Sequence, residues 1–151
     1  MFPSPVFPTV LVVDDNPDIR DLLSFILEPG YHVVTAGSGE EALAILSAAA
    51  LAGKSVALLL TDVVMGGMTG LELGREVKRI NSTLPVLYMT GFPFGADPSY
   101  DFAGTNFLLK PFRAAELLTA VRTLIAAGTG PEWEHIKTEH LETPDNSASA
   151  S

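Results

Sequence analysis

The stretch VLVVDDNPDIR, Val10 to Arg20, runs from uninterrupted apolar residues straight into two adjacent carboxylates and then a proline. Val10 to Val13 is a short β-branched and aliphatic run of the kind that fills a strand covered on both faces. Asp14 and Asp15 stand where that strand stops, and like charges so close raise each other's pKa unless a cation offsets them. Pro17 suits the first position of a helix. Beyond it Ile19, Leu22, Leu23, Ile26 and Leu27 fall at helical spacing as one apolar stripe, which Pro29-Gly30 closes. The unit is therefore strand, acidic pair, helix.

The same alternation continues outward. Thr9 to Val13, His32 to Ala36, Val56 to Thr61, Pro85 to Thr90 and Asn106 to Leu109 are apolar runs fit for a buried parallel sheet. Ser38-Gly39-Glu40-Glu41 and Thr69-Gly70-Leu71-Glu72 match the capping box and place helices at about 39–50 and 70–80. Leu117, Val121, Leu124 and Ile125 give a last helix from about Arg113 to Ala127, ended by Gly128. Strand and helix repeat five times, which implies right-handed crossovers and an α/β/α sandwich of three layers. Between Gly91 and Thr105, Pro93, Gly95, Pro98 and Gly104 leave room only for a short or distorted fourth helix or a loop.

A chain of 151 residues is long enough for one domain with a real core and too short for two. Residues 1–8, rich in proline, are expected as an irregular leader, 9–127 as the domain, and 128–151 as a polar tail or linker lacking the composition to fold alone. Within that tail Trp133, Ile136 and Leu141 can make an amphipathic turn or two able to dock on the domain. A net charge of −9 with only nine Lys and Arg argues against direct contact with nucleic acid. No apolar run is long enough to span a bilayer, and no secretory signal is visible. The absence of cysteine excludes thiol chemistry and agrees with a cytoplasmic location.

In open α/β sheets ligands bind beyond the carboxyl ends of the strands. Those ends carry Asp14 and Asp15 after the first strand, Asp62 after the third, Thr90 at the end of the fourth and Lys110 after the fifth. Clustered carboxylates make a hard site suited to Mg²⁺, while an ammonium and a hydroxyl suit a group with several negative oxygens. The partner that completes this set is a phosphoryl group, with a carboxylate as acceptor. Asp62 is the best candidate, alone at the end of the central strand before Gly66-Gly67.

VLVVDDNPDIR, LLLTDVVMGGMTGLEL, LYMTG and FLLKPF together resemble the signature blocks of the response-regulator receiver domain of two-component, or phosphorelay, signalling. The resemblance covers about Thr9 to Ala127. It implies a flavodoxin-like α/β fold with a five-stranded parallel sheet in the order 2-1-3-4-5. It also implies a signalling domain rather than an enzyme. Asp62 corresponds to the phosphoacceptor, which takes its phosphoryl group from a histidine kinase or a histidine phosphotransfer protein. Asp15, Asp14 mostly through water, Asp62 and the backbone carbonyl of Val64 correspond to the metal site for Mg²⁺, with Mn²⁺ as a substitute. Thr90 and Lys110 match the residues that engage the phosphoryl oxygens. Phe107 matches the aromatic that follows Thr90 as a switch, and Lys110-Pro111 matches a cis peptide. The surface of the fourth-helix region, fifth strand and final helix then meets an unknown downstream protein, and Phe92, Phe94, Tyr100 and Phe102 add aromatic character to it.

The chain departs from the family pattern in three places. Gly66 replaces the usual proline, which predicts a looser loop after the acceptor. Arg113 stands where a Ser, Thr or Asp normally caps the last helix. Val64 and Phe92, two residues beyond Asp62 and Thr90, are apolar and cannot orient a water, which predicts a long-lived acyl phosphate. Taken singly, each site residue has a plainer reading: a helix cap for Asp14 to Asp18, a turn for Asp62, a solvated lysine for Lys110, packing for Phe107. The alternative for the whole set is a docking module on the same fold that acts without phosphorylation. A dinucleotide site is disfavoured by DDNPD where glycines belong, and a haloacid-dehalogenase phosphatase by Val64 where its second acid belongs.

Overall fold

In the computed structural model, residues 7–91 and 106–127 are described. Five strands, β1 (Thr9–Val13), β2 (His32–Ala36), β3 (Leu58–Asp62), β4 (Val86–Thr90) and β5 (Asn106–Leu109), form one parallel sheet in the order β2-β1-β3-β4-β5. The helices described are α1 (Pro17–Leu27), α2 (Gly39–Leu51), α3 (Gly70–Ile80) and α4 (Ala114–Ala127). The region expected to hold a fourth helix or loop, with Phe92, Phe94, Tyr100 and Phe102, lies outside the described residues. So do most of the leader and all of the tail from Gly128.

Side chains alternate along the strands into two cores. Leu11, Val13, Leu59, Val86 and Tyr88 pack with Leu71, Leu73 and Val77 on the face covered by α2 and α3. Val10, Val12, Leu58, Leu60, Leu87 and Met89 pack with Leu23, Leu27, Leu117 and Val121 on the face covered by α1 and α4. The three layers are therefore those anticipated from the alternation. Among the described residues, no helix is long and apolar enough to cross a membrane.

Several local expectations need correction. The run from Val56 enters the sheet only at Leu58, and Asp62 is the last residue of β3 rather than one beyond it. β2 is an edge strand with His32 and Thr35 exposed, so its run is not sealed on both faces like β1, β3 and β4. In α1, Leu22 is exposed while Leu23 and Leu27 are buried, because Leu22 sits at the margin of the stripe. The missing cap of α4 is half supplied: the Arg113 N–H donates to Glu116 Oε1 at 2.7 Å, the reciprocal arm of a capping box.

Candidate functional site at the carboxyl edge of the sheet

Register brings the strand ends level. Val13 pairs with Thr61, which sets Asp14 beside Asp62. Asp62 pairs with Met89, and Thr90 with Leu109, so Thr90 and Lys110 follow one step further on their strands. The Lys110 N–H donates to the Thr90 carbonyl at 2.7 Å and extends the ladder to the lysine. The Lys110–Pro111 peptide is cis.

Carboxylate oxygens of Asp14, Asp15 and Asp62 lie within 4.8 Å of one another. Asp14 is buried; its Oδ1 accepts the Asn16 N–H at 2.9 Å, and its Oδ2 has no hydrogen-bond partner. Burial holds the Asp14 carboxyl above the usual carboxylate range. Asp62 and Asp15 push the same way, against the Asn16 N–H and the charge of Lys110. Across the mouth, Lys110 Nζ donates to Asp62 Oδ1 at 3.0 Å. One ammonium thus faces three carboxylates, and a buried carboxylate oxygen without a partner is costly unless a cation arrives. A divalent metal fits this donor set: hard anionic oxygens, converging, with one of them unpartnered.

Thr90 is buried, Phe107 is half-buried in β5, and the Val64 side chain is exposed. The Asn16 side chain accepts from the Asp18 N–H and caps α1, with Pro17 at its start, so the helix begins immediately past the acidic pair.

Three residues play parts at the site that the sequence did not assign to them. Arg20, one turn into α1, donates from Nη1 to the Asp14 carbonyl at 2.7 Å and fixes the backbone of the acidic pair. The Gly66 N–H donates to Asp15 Oδ2 at 3.1 Å, so the loop expected to be looser is tied to the acidic cluster by a donor that proline lacks. Gly70 has no room for a side chain, because a Cβ would overlap the Asp62 carbonyl. That contact lets α3 start hard against the end of β3, where the Gly70 N–H meets the Val63 carbonyl at 2.8 Å. Gly70 did carry a signal, its place in the capping box, but the box reports a helix start and not a close approach.

Comparison with known proteins agrees with this geometry. The transcriptional regulatory protein AruR of Pseudomonas aeruginosa is 37% identical over 121 residues, 78% of this chain and 49% of AruR. The chain spans about half the length of the curated relatives it matches. The crystal structure of the response regulator TrrA from Thermotoga maritima, in complex with Mg²⁺-BeF, is 32% identical, with a TM-score of 0.66 over 78% of this chain and 99% of that one. The receiver domain of the hybrid histidine kinase CckA is 30% identical, with a TM-score of 0.64 over 78% and 98%. The response regulator receiver domain family matches residues 10–122, and with that match, the sheet order and the acidic edge in agreement, the chain belongs to this family.

Proposed function

We propose that residues 9–127 act as a phosphoacceptor receiver, taking a phosphoryl group onto Asp62 from a phosphohistidine on a histidine kinase or histidine phosphotransfer protein. The observation that carries this reading is the Lys110 ammonium at 3.0 Å from Asp62 Oδ1, beside the partnerless Oδ2 of Asp14. That set leaves Asp62 addressed by a cation that can follow an incoming anion, within a group of three carboxylates poised for a metal.

Asp14, Asp15, Asp62 and the Val64 carbonyl would hold Mg²⁺, or Mn²⁺ in its place. The ion supplies positive charge that offsets repulsion between carboxylate and phosphate. An Asp62 oxygen attacks phosphorus as the P–N bond to the donor imidazole breaks, and the electron pair leaves with the imidazole. The Lys110 ammonium transfers its attraction from the carboxylate to a phosphoryl oxygen. The Thr90 hydroxyl, at the end of β4, donates to another, and Phe107 on the neighbouring strand follows the move and alters the surface offered to a downstream protein. The product is a signalling state and not a released metabolite, as befits a receiver rather than an enzyme.

Val64 is 49% exposed at the lip of the site and offers no polar group to a water. The acyl phosphate should therefore persist; a lifetime of seconds would contradict this part. The function itself is tested by intact mass after incubation with acetyl phosphate, with and without Mg²⁺, beside an Asp62→Asn control. Gain of one phosphoryl group that needs Mg²⁺ and vanishes in the control is expected. No gain in a folded chain that binds Mg²⁺ would favour a docking module that acts without phosphorylation.

A further inference from the structure

At the opposite, amino-terminal end of the sheet lies a groove of about 680 Å³, lined among others by Leu43, Leu46, Leu51, Lys54, Ile80 and Ile125. Leu51 and Ile80, the last residues of α2 and α3, are 91% and 65% exposed. Apolar side chains gathered on a concave surface are the mark of a docking site. Ile125 belongs to the last turn of α4, so the groove reaches the point where the chain leaves that helix at Ala127.

The sequence beyond that point fits the groove in reach, shape and charge. Gly128, Gly130 and Pro131 turn a chain rather than extend a helix. The six residues from Ala127 to Trp133 can span up to about 20 Å. Trp133, Ile136 and Leu141 then recur at the spacing of one helical stripe. Around them stand Glu132, Glu134, Glu139 and Glu142 against the single Lys137. The groove carries the opposite sign at two places: Lys54 lines it, and Lys78 Nζ donates at 2.6 Å to the carbonyl of Leu84, another lining residue, while Arg79 in the same turn is paired with Glu76.

We infer that this groove is the docking site of the chain's own segment Glu132–Leu141. Trp133 and Ile136 enter between the ends of α2 and α3, and the glutamates face Lys54 and Lys78. A short tether holds its ligand at an effective concentration in the millimolar range, so a contact of modest intrinsic affinity suffices. The segment covers Leu51 and Ile80 and leaves the acidic edge free.

Trp133 is the chain's one tryptophan and reports directly on this contact. Its emission and its quenching by acrylamide are measured in the full chain, in a Leu51→Glu/Ile80→Glu variant and in an Ile136→Glu variant. The groove substitutions fall on exposed side chains, and the tail substitution leaves the groove intact, so the two probe one contact from both sides. The unmodified chain should show blue-shifted emission and several-fold weaker quenching than either variant, at equal melting temperature. Solvated emission in the unmodified chain would overturn the inference. So would protection that survives both variants, which would place Trp133 elsewhere, or protection lost on dilution, which would put a second copy in the groove.

Discussion

The two ends of the parallel sheet follow opposite rules. At the carboxyl end, β1 and β3 stop in carboxylates, a buried oxygen of Asp14 has no partner, and one lysine faces three acids. At the amino end, the ends of α2 and α3 leave Leu51 and Ile80 in the open over an apolar groove. The central strands between, β1, β3 and β4, are sealed by both cores and carry neither defect. The difference teaches that one end forgoes electrostatic balance to receive charge and the other forgoes surface polarity to receive apolar side chains. A substitution at one end should leave the other's property intact.

The largest effect is expected at the closest contact of the carboxyl end. Gly70→Ala forces a Cβ onto the Asp62 carbonyl, and overpacking against backbone should cost about 3 kcal/mol in urea unfolding. It should also weaken Mg²⁺ binding by displacing the end of β3. A substitution that proves neutral would mean that α3 can shift without disturbing the acidic edge.

Metal addition comes next. Mg²⁺ at a hundredfold excess over its dissociation constant should stabilise the chain by about 2.7 kcal/mol, visible as a rise in melting temperature. Variants of the groove should keep that rise in full.

Asp14→Asn should act in the other direction. The amide still accepts from the Asn16 N–H and can donate toward the neighbouring carboxylates, while a buried negative charge disappears. We expect the metal-free chain to gain about 1 kcal/mol and to lose its stabilisation by Mg²⁺. The pH dependence has a definite sign. The Asp14 pKa is raised in the folded chain, chiefly by burial, so the folded state holds that proton more tightly than the unfolded state. The cost of the charge is present above the raised pKa and is relieved as pH falls through it toward the ordinary carboxylate value. The Asn variant should lack this component of the stability profile. The smallest effect belongs to the amino end, where Leu51→Asp, on an exposed side chain, should change stability by less than about 0.5 kcal/mol and leave the Mg²⁺ response untouched.

Much of this was legible in the chain itself, and the limits have physical reasons. The strand-helix order follows from apolar period, and Asp14, Asp15, Asp62, Thr90 and Lys110 were legible because a parallel sheet gathers strand ends at one edge. Contributions through the backbone were not. The Gly66 N–H on Asp15 and the Arg20 guanidinium on the Asp14 carbonyl depend on how a loop and a helix turn lie in space. No periodicity reports that. The depth of β2 was misjudged because an edge strand and a central one can share the same composition, and only sheet order separates them. The capping of the start of α4 by Glu116 was present in sequence as the second half of a capping box, hidden because its first half, at Arg113, lacks the hydroxyl.

The central claim, that Asp62 among the three clustered carboxylates accepts the phosphoryl group, is tested most directly by trapping the product. Borohydride reduction of the chain after reaction with acetyl phosphate and Mg²⁺ converts an aspartyl phosphate to homoserine, which peptide mass spectrometry locates by residue. Homoserine at position 62 alone is the predicted result. Homoserine at position 14 or 15, or none in a chain that binds Mg²⁺, would contradict it.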